Sequence, residues 1–156
     1  MPFKTNAMRV LDQKKIPHKT YELGNTEAVS GVEAARLMGA DPSKVYKTLV
    51  TVGASKQHYV FVMPADSELD LKKAARAAGE KNIEMVKSKE LLPLTGYVHG
   101  GCSPIGMKKL FPTFVDESAQ ALDSFIFSAG KIGYQIEMAP ADLLKVVPFS
   151  FADLKS

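Results

Sequence analysis

The chain has 156 residues, of which 46% are hydrophobic and 24% charged, and its formal net charge at pH 7 is +3. This apolar fraction with so small a net charge excludes intrinsic disorder, and the length favours one domain over residues 1–156. No run approaches the roughly 20 apolar residues of a membrane-spanning helix, and residues 1–6 lack the apolar stretch of a signal peptide. We therefore expect a soluble, cytoplasmic protein that contacts no membrane.

The basic residues are mostly lysine. Only Arg9, Arg36 and Arg76 are arginine among the 20 basic side chains, so the other 17 are lysine. Arginine reads guanine edges with two hydrogen bonds, whereas lysine acts as a point charge on phosphate. The composition therefore argues against sequence-specific binding of DNA and leaves phosphate contact open.

The first third of the chain predicts two helices, a strand and a turn. Apolar side chains within residues 5–15 fall on one side of a helix, and residues 18–23 alternate as in a strand. Ser30-Gly31-Val32-Glu33 has the pattern of a capping box, and the helix that it opens is expected to end at Gly39. Asp41-Pro42 predicts a further helical turn with the aspartate as its N-cap.

The middle of the chain predicts a hairpin followed by two helices. Residues 45–52 and 58–63 are typical of adjacent strands, joined by a loop at 53–57. The second strand is continuously apolar, which indicates that both of its faces are covered. Helices are predicted over residues 70–78 and 88–92.

The last third predicts short strands over residues 114–116, 124–128 and 134–137, and then a helix over 140–146. Helices and strands are mixed along the chain without a regular β-α-β alternation. This order predicts an α+β fold in which one compact domain contains a mixed sheet flanked by helices.

Lys47 is a charged residue in the otherwise apolar segment 45–50. By the two-residue period of a strand, Lys47 shares a face with Leu49 and Thr51. The charge either stands beside a binding site or belongs to a strand-end lysine whose ammonium reaches water. Spacing alone favours the second interpretation.

The segment 100–106 holds the densest cluster of glycine and proline. Paired glycines let a ligand approach main-chain N–H groups, which can stabilise negative charge developing on an ester carbonyl. A turn between a strand-like Tyr97-Val98 and a helix-like 107–110 explains the segment equally well. A second loop of small residues, 128–133, lacks the spacing of a nucleotide loop and is explained as well by a tight hairpin.

The cysteine and histidine residues indicate neither a nucleophile nor a metal site. Nothing near Cys102 marks a lowered pKa, so it is interpreted as a small buried hydrophobic residue. The three histidines and the one cysteine have unrelated spacings, and we expect no metal and no cofactor.

Three segments in order resemble the YbaK/EbsC family: Val45-Tyr46-Lys47-Thr48-Leu49, then residues 95–106, then Ser128-Ala129-Gly130-Lys131. The similarity covers nearly the whole chain and includes residues 69–73 and 136–137. The resemblance implies a barrel-like mixed sheet flanked by helices and a site for the aminoacylated 3′ end of tRNA. It also implies tRNA(Pro) and prolyl-tRNA synthetase as partners.

The resemblance further implies roles for individual residues. Lys47 corresponds to a lysine that contacts the phosphate of the terminal adenosine, and the loop 100–104 to one that positions the aminoacyl ester. In that loop, Gly100 and Gly101 are implied to be catalytic. The implied substrate-binding residues are Tyr21, Ser103, Pro104, Ser128, Gly130, Lys131 and Gln135, the last at a position where some members have Asp.

The activity implied by the resemblance is trans-acting deacylation of Cys-tRNA(Pro). In the implied mechanism the cysteinyl thiol attacks its own ester, so the protein needs no covalent intermediate. Two alternatives stay open: an alanine-specific deacylase that activates water, and a non-catalytic module that binds the tRNA acceptor end or the synthetase.

Overall fold

The structure is a computed structural model that describes residues 4–23 and 31–156. Its helices and strands alternate irregularly along the chain. The helices are α1 Asn6–Gln13, α2 Gly31–Met38, α3 Leu71–Ala78, α4 Ser88–Thr95 and α5 Pro140–Leu143. The strands are β1 Lys19–Glu22, β2 Tyr46–Gly53, β3 His58–Pro64, β4 Ile83–Met85, β5 Thr113–Asp116, β6 Phe125–Ser128, β7 Tyr134–Met138 and β8 Phe149–Ala152. No helix in these ranges is both long and apolar enough to cross a membrane.

The strands form two sheets. The first has the order β1-β7-β6 and is antiparallel throughout. The second has the order β4-β2-β3-β5-β8, in which β2 pairs antiparallel with β3 and β4, while β3 with β5 and β5 with β8 are parallel. The predicted α+β class with a mixed sheet is confirmed.

One isolated parallel bridge, between Val45 and Ile126, links the two sheets in the described part of the chain. The sheets therefore pack together without closing into a continuous barrel. Val45, Ile126 and Ala35 of α2 are all buried and form a small apolar cluster at this bridge. Helix α2 thus covers the line along which the sheets meet.

The main core lies between the two sheets. The inner face of the first sheet contributes Phe125, Phe127 and Ile136, and the second sheet contributes Val60 and Val62, all at most 1% exposed. A second cluster on the far side of β3 is centred on Phe61 and packs against α3. Strand β3 is therefore covered on both faces, as its continuous apolar sequence predicts.

Most predicted elements are confirmed, and their caps explain why. Thr5, Asp41 and Asp70 accept hydrogen bonds from backbone N–H groups at the start of α1, of the 3₁₀ helix Pro42–Lys44 and of α3. Gly79 ends α3 with φ +72, a conformation that favours glycine. The predicted capping residue Ser30 lies outside the described residues.

Four local predictions differ from the structure. Helix α4 extends to Thr95 instead of Leu92, and α5 stops at Leu143. Residues 97–98 are not a strand and 107–110 are not a helix, because this segment is held by side-chain contacts described below. The sequence analysis does not predict strands β4 and β8, which are defined by their pairing with β2 and β5.

Candidate active site

A pocket opens where the two sheets separate beyond their single bridge. Strands β2 and β6 run parallel from Val45 and Ile126, and no ladder joins them further along. The pocket has a volume of about 220 Å³, less than the roughly 300–1,000 Å³ of sites that enclose drug-sized ligands. Its described lining is Ala34, Val45, Tyr46, Lys47, Thr48, Leu49, Ala65, Leu91, His99, Gly100, Cys102, Ser128 and Gln135.

Lys47 contributes an unpaired positive charge to this pocket. Its side chain leaves β2 on the face opposite Tyr46 and Thr48 and is partly buried. Within the described residues it makes no ion pair and no side-chain hydrogen bond. Between the two interpretations of Lys47, this geometry favours the charge beside a site.

A row of polar side chains crosses the first sheet beside Lys47. Tyr21 of β1 and Ser128 of β6 both stand directly opposite Gln135 of β7. Directly opposed residues of antiparallel strands share a face, so the three side chains lie side by side. Gln135 and Ser128 line the pocket, and Tyr21 flanks Gln135.

Glu137 anchors the end of this row. Its carboxylate accepts hydrogen bonds from the hydroxyls of Tyr21 at 2.6 Å and Ser124 at 2.5 Å, and from the Lys44 ammonium at 3.4 Å. Burial acts to raise the pKa of Glu137, but these three hydrogen bonds and the Lys44 charge outweigh it and lower that pKa below 4.5. The Tyr21 hydroxyl is thereby fixed beside the pocket.

We expect Glu137→Gln to lower the free energy of unfolding at pH 7 by about 1.5–3 kcal/mol, the range for hydrogen bonds to a charged group. Because the folded-state pKa of Glu137 is lowered, its contribution is present above 4.5 and is lost as the pH falls through the lowered value. Urea denaturation at pH 7 and pH 3 should show the gap between the variant and the wild type closing at low pH. Glu84→Gln, at an exposed position on β4, is the control and should show no such gap.

The glycine-rich loop borders the pocket and contains N–H groups that are not hydrogen-bonded in the described part of the chain. The Gly101 N–H donates to the Val98 carbonyl at 3.0 Å and is committed to a turn. A Cβ at Gly101 would stand 3.0 Å from the Ile132 nitrogen, so this glycine allows the loop to pack against residues 131–132. Within the described residues the N–H groups of Gly100 and Cys102 make no hydrogen bond, and both residues line the pocket.

Tyr97 holds the loop in place from inside. Its hydroxyl donates to the Ile105 carbonyl, and burial raises the pKa of Tyr97 to about 12, which keeps this donor protonated. Its ring packs on Gly130, where a Cβ would stand 2.7 Å from the ring. The glycine-rich loop and the β6–β7 hairpin are therefore positioned by the same side chain.

Cys102 is buried, with 8% of its surface exposed, which confirms its interpretation as a small core residue. Burial raises the pKa of its thiol from 9.0 to about 12, although a hydrogen bond with Thr95 acts in the opposite direction. The thiol is therefore neutral at pH 7 and is not prepared to act as a nucleophile.

A thiol reagent at pH 7 should label Cys102 at least about 1,000-fold more slowly in the folded protein than in urea. Three pKa units correspond to that ratio of thiolate, and burial slows access further. Because Cys102 is the only cysteine of the chain, the absorbance of a released chromophoric thiol reports its rate directly. Rapid labelling of the folded protein would contradict the buried, neutral assignment.

Several residues expected in the site lie outside the described lining. The Ser103 hydroxyl is fully buried and accepts from the Ile105 N–H, and Pro104 lines a separate cavity beside Val10. Gly130 donates its N–H to the Ser128 hydroxyl. The exposed Lys131 ammonium stands 5.6 Å from the ring centre of Tyr134.

The pocket also contains residues that the sequence did not indicate. Thr48 and Leu49 follow Lys47 on β2, Leu91 comes from α4, and His99 lies at the exposed start of the glycine-rich loop. The only sequence feature that could have placed Thr48 and Leu49 in the pocket is that they directly follow Lys47. No sequence pattern relates Leu91 to β2. Within the described ranges, no group of three acidic, histidine or cysteine side chains is placed to hold a metal ion.

The family of the chain follows from a family model. Residues 26–146 match the model of the aminoacyl-tRNA editing domain, and the chain belongs to this family. The predicted family and the predicted class of enzyme, an aminoacyl-tRNA deacylase, are thereby confirmed.

The individual relatives include free-standing proteins. The chain is 48% identical to the Enterococcus faecalis protein named "Putative Cys-tRNA(Pro)/Cys-tRNA(Cys) deacylase EbsC", over 97% of this chain and 93% of that protein. It is 25% identical to the "Multifunctional Ser/Thr-tRNA deacylase ProXp-y" of Escherichia coli K12, over 86% of this chain and 79% of that protein. A crystal structure titled as a putative trans-editing enzyme for prolyl tRNA synthetase superposes with a TM-score of 0.85, at 28% identity and 99% coverage of both chains.

Proposed function

We propose that the protein is a trans-acting deacylase that removes cysteine from mischarged Cys-tRNA(Pro). The observation that carries the proposal is the pocket itself. It combines the unpaired Lys47 ammonium with two unengaged backbone donors, in an aminoacyl-tRNA editing fold. The 48% identity to a relative named for Cys-tRNA supports cysteine as the amino acid.

The size of the pocket suits an aminoacyl group and not a whole nucleotide. About 220 Å³ accommodates a small side chain with its ester, while the ribose and phosphates stay outside. The Lys47 ammonium is then the group that pairs with a phosphate of the terminal adenosine. Gln135, Ser128 and Tyr21 form the wall against which the ester is held.

The reaction that suits this pocket is attack by the substrate's own thiol. The cysteinyl sulfur bonds to the ester carbonyl carbon, the bond to the 3′ oxygen breaks, and the thiol proton passes to that oxygen. The products are free tRNA and a cyclic thiolactone, which water then opens. In the described residues no pocket side chain is prepared to act as the nucleophile: the Cys102 thiol is neutral, and the Ser128 hydroxyl is paired with Gly130 instead of a base.

Substrate orientation and oxyanion stabilisation together can lower the activation barrier enough that no nucleophile of the enzyme is needed. Well-oriented intramolecular attack supplies about 7–11 kcal/mol of the barrier, and one preorganised oxyanion donor about 2.7–4 kcal/mol. The N–H groups of Gly100 and Cys102 are the proposed donors, and Gly101 shapes the turn that presents them.

The proposed setting is the cytoplasm, with prolyl-tRNA synthetase as a partner in selecting the tRNA. The chain has a net charge of only +3 and three arginines, so its own affinity for tRNA should be weak and sensitive to salt. The similarity to the crystal structure titled as a putative trans-editing enzyme for prolyl tRNA synthetase supports this partner.

The experiment is hydrolysis of Cys-tRNA(Pro), with Ala-tRNA(Pro), Ser-tRNA(Pro) and Pro-tRNA(Pro) in parallel, with and without the synthetase. Preferential loss of cysteine is expected, with the thiolactone detected by mass spectrometry as the first product released after a rapid acid quench. Preferential loss of alanine would point to the water-activating branch of the family. Binding of charged tRNA without any turnover would point to a binding module and would overturn the proposal.

A further inference from the structure

One side chain in the pocket has a buried polar atom without a partner. The hydroxyl oxygen of Thr48 is buried and makes no hydrogen bond, and it is the one side-chain atom of this kind among the described residues. Buried polar groups in folded proteins are almost always hydrogen-bonded, and an unsatisfied one is costly. Valine has nearly the same shape and would carry no such cost at this position.

Other buried threonines of this protein have found partners. The hydroxyl of Thr51 donates to the Tyr59 carbonyl at 3.0 Å, that of Thr95 to Leu91 at 2.8 Å, and that of Thr113 to Phe111 at 2.9 Å. All three hydroxyls donate a hydrogen bond to a nearby backbone carbonyl. Thr48 differs from them because the residue lines the pocket, while its buried hydroxyl oxygen has no such carbonyl partner among the described residues.

Thr48 lies at the core-facing end of the pocket. On β2 it lies between Tyr46 and Val50, opposite Val62, and so faces the main core, away from the Lys47 side chain. Leu91 and Cys102 line the same core-facing end. Tyr46 lies on this face as well, but its hydroxyl is hydrogen-bonded to Ser118, so the Thr48 hydroxyl is the one buried, unpaired hydroxyl at this end among the described residues. The charge of Lys47 is on the opposite face of the strand.

We infer that Thr48 is a specificity-determining residue whose hydroxyl hydrogen-bonds the side chain of the aminoacyl group. The inference rests on the proposed function, since it places the ester and the tRNA end on the Lys47 side. The matching ligand is a small side chain with a single thiol or hydroxyl on its first carbon. An apolar side chain of the same size leaves the Thr48 hydroxyl unsatisfied and binds more weakly.

Binding must be measured apart from chemistry, because a substrate without a thiol cannot perform the proposed attack. The probes are acceptor-stem minihelices of tRNA(Pro) that carry the amino acid through a non-cleavable 3′ amide. One probe carries cysteine and the other carries 2-aminobutyrate, in which a methyl group replaces the thiol. Dissociation constants for both are measured with the wild type, Thr48→Val and Thr48→Ser.

The wild type is expected to bind the cysteinyl probe about tenfold more tightly than the aminobutyryl probe. Thr48→Val should bring the two affinities together, mainly by weakening the cysteinyl probe, and Thr48→Ser should retain the preference. Thermal melts check the fold, and Thr48→Val should be at least as stable as the wild type. If it does not fold, Thr48→Ala takes its place.

Two results would overturn the inference: equal affinities of the wild type for both probes, including no binding of either, or a preference that survives in the valine variant. The proposed function fails separately. Its failure is the absence of Cys-tRNA(Pro) hydrolysis by the wild type, whatever the two dissociation constants are.

Discussion

Lys47→Ala is expected to lower kcat/KM for Cys-tRNA(Pro) by at least about 100-fold. A hydrogen bond to a charged group contributes about 1.5–3 kcal/mol, and a substrate that shifts by about 1 Å costs roughly another 100-fold. The loss should appear in KM as well as kcat, because Lys47 is proposed to hold a phosphate. Single-turnover hydrolysis at increasing enzyme concentration separates the two.

The stability of the Lys47 variant should stay close to that of the wild type. Lys47 has no ion pair in the described part of the chain, so its removal leaves no partner uncompensated. Lys72→Ala, at an exposed position on α3, is the matched control for loss of one positive charge and should keep full activity. Equal activity of the two variants would exclude Lys47 from the site.

Gly130→Ala is expected to destabilise the protein by about 2–5 kcal/mol. Gly130 has φ +100, and a Cβ there would lie 2.7 Å from the Tyr97 ring. The backbone conformation accounts for about 1–2 kcal/mol and the overpacking for about 1–3 kcal/mol. The melting temperature should fall by about 4–20 °C, since 1 kcal/mol corresponds to roughly 2–4 °C at this chain length.

The chain offers a control that separates the two causes. Gly79 has φ +72 with no atom within 4 Å of its Cβ position, so Gly79→Ala carries the conformational cost without a clash. Gly130→Ala should therefore be the more destabilised of the two, and it should also lose activity as Tyr97 and the glycine-rich loop shift. Equal melting temperatures of the two variants would mean that the Tyr97 ring moves away from the new Cβ without a loss of stability.

Much of the fold was predictable because its signals are local. Asp70 and Gly79 mark the ends of α3, and alternation with continuous apolar runs marks β2 and β3. The segment from Tyr97 to Leu110 was not predictable, because its conformation depends on distant contacts. The Asn6 amide donates to Gly106 across 100 residues of sequence, and Tyr97 packs on Gly130.

Part of the pocket lining could be predicted from the sequence, whereas the hydrogen-bonding state of its groups could not. Lys47 and the loop 100–104 stand out by their residue types, and the resemblance to a family implied a site role for both; the structure places Lys47 and Gly100 in the pocket lining. The difference between the N–H groups of Gly100 and Gly101 needed the structure, because only the structure shows that the Gly101 N–H is hydrogen-bonded. The unpaired hydroxyl of Thr48 was not predictable for a similar reason: neither the sequence nor the resemblance shows whether a hydroxyl has a hydrogen-bond partner.

The single bridge between Val45 and Ile126 has a consequence for how such sites diversify. Lys47 stands on one sheet, and Ser128 and Gln135 stand on the other, so the width of the pocket between them depends on how closely the sheets approach beyond the one bridge seen in the described residues. A larger or smaller side chain at Ala35 or its apolar neighbours would change the distance between the two sheets. The pocket would widen or narrow while its polar groups stay the same. Substitutions in this apolar cluster could therefore adapt the same set of polar pocket residues to amino acids of different size.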